Sequence, residues 1–153
     1  MNIKNYTSSV PVSTSITRIE HRLAQAGATH IAKTYLGDKP LGIMFQIPVG
    51  NSLMTFKLDA KADKVFDFLI RQRTRPPKPA ALSSIKAQAE RTAWKNLSDL
   101  IDIRMSLIQV DQADTTEMFF SSTYDSESDS TLYEKFKKNG FKRLASPLNQ
   151  ISS

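Results

Sequence analysis

Residues 41–58 leave this chain little choice of local structure. Leu41, Ile43, Phe45, Ile47 and Val49 recur at every second position, Gly50-Asn51 interrupts, and Met54, Phe56 and Leu58 resume the alternation. A period of two sends side chains to opposite faces of a strand, and a Gly-Asn pair between two such runs favours a tight hairpin. Strands are therefore predicted over Leu41–Val49 and Ser52–Leu58, sharing one apolar face. The run His30–Leu36, closed by a Gly37-Asp38-Lys39-Pro40 turn, adds a first strand and completes an antiparallel three-stranded meander. Pro48 lacks a backbone donor and is expected to push the second strand toward a bulge or a sheet edge.

Helical patterns flank the meander. Ser13-Thr14-Ser15 is expected to cap a helix whose buried stripe is Ile16, Ile19, Leu23 and Ala26, with Gly27 as its left-handed stop. After the third strand, Asp59 is expected to cap a helix that turns Val65, Phe66, Leu69 and Ile70 inward. It should end near Arg75, because Pro76-Pro77 excludes helical geometry just before it. The connector Arg75-Pro76-Pro77-Lys78-Pro79 reads as stiff and extended. Ser83 or Ser84 then caps a long helix to about Val110, roughly 40 Å at 1.5 Å per residue. Trp94, Leu97, Ile101, Met105 and Ile108 form its buried stripe. Ala93, Leu100, Ile103 and Leu107 widen that stripe, so the helix should pack on more than one side, and a homodimer through it is one possible outcome. Asp114-Thr115-Thr116-Glu117 has the spacing of a capping box opening a short helix through Phe120. Residues 121–130 read as a polar, acidic loop, and Leu132–Asn139 as a last helix stopped by Gly140. The expected fold is a single α+β domain over residues 13–144, with an irregular segment at 1–12 and a loose tail at 145–153.

Charge along the chain is sorted into blocks. Lys57 to Lys95 holds ten bases and four acids, a net +6 that equals the formal charge of the whole protein. Asn96 to Glu134 holds nine acids and a single base, Arg104, and Lys135 to Ser153 holds five bases and no acid. Within the basic block, Arg71, Arg73, Arg75 and Lys78 crowd a helix end and the proline-stiffened connector, with Lys86 and Arg91 beyond. Arginine forks match phosphate geometry, and a rigid loop loses little entropy on binding. Cations at a helix C-terminus also favour the helix itself by about 0.3–1 kcal/mol each. Two readings therefore stand open: contacts to a polyanion, or caps and partners for the acidic segment. Lys135, Lys137, Lys138, Lys142 and Arg143 form a second cluster interleaved with Phe136 and Phe141. Such interleaving suits single-stranded nucleic acid, but it equally suits two apolar anchors docking a terminal helix.

Other chemistries find little support. The chain has no cysteine, which removes disulfides, thiolate catalysis and zinc–thiolate sites. His21 and His30 lack the companions a zinc site needs, and Asp125-Ser126-Glu127-Ser128-Asp129 lacks the glycine and the final bidentate acid of a calcium loop. No glycine-rich phosphate loop and no nucleophile motif is present, so neither an enzyme nor a cofactor is expected. No apolar run reaches the roughly 20 residues a membrane span needs, and the polar opening MNIKNYTSSVPVSTS has no signal core, so a cytoplasmic protein without membrane association is expected.

The order helix–strand–strand–strand–helix over Ser13–Arg75 resembles the double-stranded RNA-binding domain in topology. That family opens its second helix with a lysine run. Here the stretch reads Asp59-Ala60-Lys61-Ala62-Asp63-Lys64, so no RNA-binding residues carry over. The strands followed by a helix are also similar in arrangement to single-strand annealing proteins. The segment Gln88-Ala89-Glu90-Arg91-Thr92-Ala93-Trp94-Lys95-Asn96-Leu97 resembles a pattern in small uncharacterised proteins of phages and mobile elements, with Thr131-Leu132-Tyr133 near the end of the likeness. That resemblance implies an origin and no activity. The sequence points to a small nucleic-acid-binding accessory protein that contacts DNA or RNA phosphates through the basic loop. The alternative is a non-enzymatic protein that binds and modulates a host protein through the acidic Asp111–Glu134 region and the exposed part of Met118-Phe119-Phe120.

Overall fold

The computed structural model describes residues 2–148. Its sheet is the predicted meander: β1 (His30–Leu36), β2 (Lys39–Val49) and β3 (Ser52–Asp59), antiparallel in the order β1-β2-β3. The Gly50-Asn51 turn sets Val49 opposite Ser52 and Phe45 opposite Phe56, so the apolar positions of both strands share one face. Ile43, Phe45, Ile47 and Phe56 are buried on that face, whereas Leu41 lies 45% exposed. Lys39 and Pro40 belong to β2, which leaves only Gly37-Asp38 for the first turn.

Pro48 neither bulges β2 nor sends it to an edge, for β2 is the central strand. The pairing of β1 ends at His30 opposite Gln46, and the Gln46 carbonyl accepts from Thr29 at 2.9 Å. Two residues on, Pro48 turns its donor-less nitrogen to that same side, where β1 no longer runs, while its side toward β3 stays paired with Leu53. The irregularity of this sheet falls instead between Thr34 and Tyr35 on β1.

The buried face is covered by α1 (Val12–Gln25) and by the second half of α3 (Pro79–Gln109). Helix α1 starts before the serine–threonine cluster, with no side-chain cap, because Val12 already packs on the core and Ser15 is buried within the helix. Gly27 takes the expected left-handed turn at φ 95°. Helix α3 begins earlier than Ser83, with Pro79 in its first turn, where a missing N–H removes no hydrogen bond. Trp94, Leu97, Ile101 and Met105 form its buried stripe, and Nε1 of Trp94 donates to the Pro40 carbonyl at 3.4 Å. The widening of that stripe holds at Ala93 but fails at Leu100 and Ile103, which face solvent.

Helix α2 (Ala62–Arg71) is not capped by Asp59, which belongs to the ladder and pairs with Gly42. Lys61 makes the turn instead, in a left-handed conformation at φ 54°. The helix ends at Arg71 rather than near Arg75, and it packs against α3. None of its residues is fully buried: Val65, Phe66, Leu69 and Ile70 point inward only to half-burial. The segment preceding α1 is irregular yet anchored. Asn5 donates to Asn96 and Asp99 at 2.9 Å, and its carbonyl accepts from Thr92 at 3.0 Å.

Beyond α3, Asp114 caps α4 (Thr115–Phe119) by accepting from the Glu117 N–H at 2.8 Å. Phe119 enters the core and meets the rings of Phe45 and Phe56 at 5.3 and 5.7 Å. The expected acidic loop contains a small hairpin, β4 (Tyr124–Asp125) with β5 (Ser130–Thr131), docked on the β3 edge through a bridge between Thr123 and Phe56. Thr131 and Glu134 then form a reciprocal capping box that starts α5 (Leu132–Lys138). Of the expected loose tail, residues 145–148 are exposed, and 149–153 lie outside the described residues.

Candidate functional site

Helix α2 closes its last turn with the N–H groups of Gln72 and Arg73, bonded to the Phe68 and Ile70 carbonyls. Residues 72–78 then lead the chain back, with Lys78 extended at φ −66°, ψ 149° before Pro79 opens α3. This connector brings α3 back against α2, a helical hairpin with the prolines at its tip. Arg71 sits on the last residue of α2, and Arg73, Arg75 and Lys78 lie in the connector rather than on a helix. Lys86 follows on α3, and all five cations are exposed. There is no acid between Asp67 and Glu90. The tip lies about 24 Å along α3 from Trp94, at 1.5 Å per residue, so core packing does not cover it.

Several of the acids find partners elsewhere. Asp99 accepts from Lys95 and Asn5 and lies 3.7 Å from Lys4. Burial alone would raise the Asp99 pKa, but the hydrogen bonds from Lys95 and Asn5 outweigh it and hold the carboxyl below its ordinary range. Asp102 pairs with Arg22 at 2.8 Å, Glu90 with Lys39 at 3.2 Å and Asp125 with Lys135 at 2.5 Å. Asp129 accepts from the Tyr124 hydroxyl at 2.5 Å. Among the described residues, Arg71, Arg73, Arg75, Lys78 and Lys86 enter no ion pair.

The remaining candidate cations divide by location. Arg91 is half-buried, its guanidinium donating to the Ser8 carbonyl at 3.2 Å and to Gln88 at 2.6 Å, so it fastens the N-terminal segment to α3. Lys135 is held by Asp125. Lys142 and Arg143 are exposed in the turns after Gly140. Phe136 and Phe141 are half-buried, and Phe141 packs on Tyr133 at 5.8 Å, as expected of anchors for the terminal helix. Of the acidic region's aromatics, Phe119 is in the core and Phe120 is 56% exposed.

Lys137 and Lys138 line a groove of about 750 Å³ between α5, the end of β3 and the turn Phe120–Ser122. Lys57 and Lys61 line it from the sheet side, and Ser121, Ser122 and Tyr133 add hydroxyls. Sequence reasoning left Lys57, Lys61 and Tyr133 out of any site. The left-handed Lys61 has no sequence signature, and Lys57 meets Lys137 only because β4, β5 and α5 fold back on β3.

No family model, no curated protein and no solved structure matches the chain. Among the described residues, no helix is long and apolar enough to cross a membrane.

Proposed function

We propose that the protein is a small, non-enzymatic nucleic-acid-binding accessory protein, of the phage or mobile-element kind its sequence resembles. Its contact surface is the tip of the α2–α3 hairpin. One observation carries this reading: Arg71, Arg73, Arg75 and Lys78 are exposed and enter no ion pair among the described residues, while Asp99, Asp102 and Asp125 of the acidic segment pair with other cations. Charges needed only to balance the acidic segment would have been found on it. Guanidinium forks on a proline-stiffened turn suit phosphate oxygens, and such contacts position a protein on a backbone without reading bases. Lys86 extends the surface along α3. Modulation of a host protein through the acidic region is the weaker reading, since Asp125 and Asp129 are bonded within that region and with α5.

Fluorescence anisotropy with labelled single- and double-stranded DNA and RNA tests the proposal, at about 50 and 200 mM salt. Four phosphate contacts predict a loss of affinity of about a hundredfold across that range on duplex DNA. The variant Arg71→Ala/Arg73→Ala/Arg75→Ala/Lys78→Ala should lose both the binding and most of the salt response. Binding indifferent to salt, or unchanged in this variant, overturns the proposal.

A further inference from the structure

The groove beside α5 is separate from the hairpin tip, since it opens at Lys61 before the start of α2, whereas the tip lies beyond its end. Four ammonium groups line it, from Lys57, Lys61, Lys137 and Lys138, against two carboxylates, from Asp59 and Glu134. Two carboxylates cannot balance four lysines, although Glu134 lies near enough to Lys57 to feel its charge. Glu134 accepts from both the N–H and the hydroxyl of Thr131 at 3.1 Å, which holds its pKa below the ordinary value. Asp59 turns an oxygen toward the bare Cα of Gly42 on β2. Among the described residues, Lys57, Lys61, Lys137 and Lys138 form no ion pair within 4 Å, and Lys57 lies over the Tyr124 ring at 5.6 Å with its charge acting on Glu134.

One strained backbone position belongs to this site, Lys61, which lines the groove at φ 54°; Phe141, at φ 59°, lies outside the lining and packs on Tyr133. A left-handed conformation is costly for any residue with a β-carbon, more so for a bulky one, and such strain tends to collect where function requires a set geometry. Glycine at position 61 would remove the strain, but it would also remove one of the four ammonium groups. The groove's about 750 Å³ falls in the range of small-molecule sites and holds many more water volumes than one phosphate displaces. The ring of Tyr133, 46% exposed, offers a face on which a planar base can stack.

We propose that this groove is a binding site for a nucleotide, its phosphates held by the four lysines and its base against Tyr133. A diphosphate engages more of the ammonium groups than a monophosphate, so ADP binds more tightly than AMP, and both more tightly than inorganic phosphate.

Isothermal titration calorimetry of the full chain with ADP, AMP and inorganic phosphate at low salt tests this. The exposed pair Lys137→Gln/Lys138→Gln should weaken ADP by about tenfold or more, while the quadruple tip variant keeps ADP affinity. Lys61→Gly should weaken ADP and raise the melting temperature together, a combination that a purely structural lysine does not give. Three results overturn the proposal: no ADP binding at millimolar concentration, binding lost only in the tip variant, or phosphate binding as tightly as ADP.

Discussion

Gly42 is the position where the sheet leaves least room for change. A β-carbon there would lie 2.7 Å from the Leu58 carbonyl oxygen and run into the Asp59 carboxylate. The side chain of Asp59 can swing away, but the Leu58 carbonyl belongs to the paired strand and cannot. Gly42→Ala should therefore cost about 1–3 kcal/mol, read as a lower urea midpoint, and adding Asp59→Ala should not restore it. Trp94 is the opposite case, a large side chain only 1% exposed. Trp94→Ala should cost about 3–5 kcal/mol by the same measurement, without altering any cation at the hairpin tip. The place of Trp94 could be read from its three- and four-residue spacing to other apolar residues. The demand at Gly42 could not, because it depends on which residue of β3 lies opposite.

At the scale of elements, α5 and its small hairpin depend on polar bonds that acid should release. Hydrogen bonds from Lys135, the Glu127 N–H and Ser128 hold Asp125 below its ordinary pKa, and bonds from Thr131 do so for Glu134. A carboxyl whose folded pKa is depressed adds stability above its unfolded value, and that stability is lost as pH falls through the folded one. Below about pH 4, α5 and the β4–β5 hairpin should thus lose hydrogen-exchange protection before the Phe45–Phe56–Phe119 core does. Thr131→Ala should produce the same local loss at neutral pH, worth about 1 kcal/mol of helix capping. The meander was legible because a two-residue period and a Gly-Asn turn fix their register within one short stretch. Helix starts were less so. Serine, threonine and aspartate occur both at caps and elsewhere, and here Pro11, Lys61 and Lys78 occupy the cap positions. The capping box at Thr131 and Glu134 was in plain sequence view, but hidden by the acidic composition of the segment before it.

For the whole molecule, the sorted charge separates into two physical populations. The acidic segment is cross-linked to the fold through Lys4, Arg22, Lys95 and Lys135, and the hairpin tip is left to solvent. Removing the four tip cations should leave the melting temperature essentially unchanged, since they are exposed and enter no ion pair among the described residues, and such residues contribute within about 0.5 kcal/mol each. A large drop would place those side chains in contacts the structure does not contain. The tip was visible in the sequence because its four cations fall within eight residues. The groove was not, because Lys57 and Lys137 are far apart in the chain and meet only in the fold.

The hold of α3 on residues 5–8 has a consequence for how the chain is made. Asn5 finds its partners at Asn96 and Asp99, and Ser8 finds its own at Gln88 and Arg91. At about 5–20 residues per second, ribosomes need several seconds to reach those partners. Residues 5–8 thus leave the ribosome well before anything can hold them, and α1 must wait uncovered until the middle of α3 arrives.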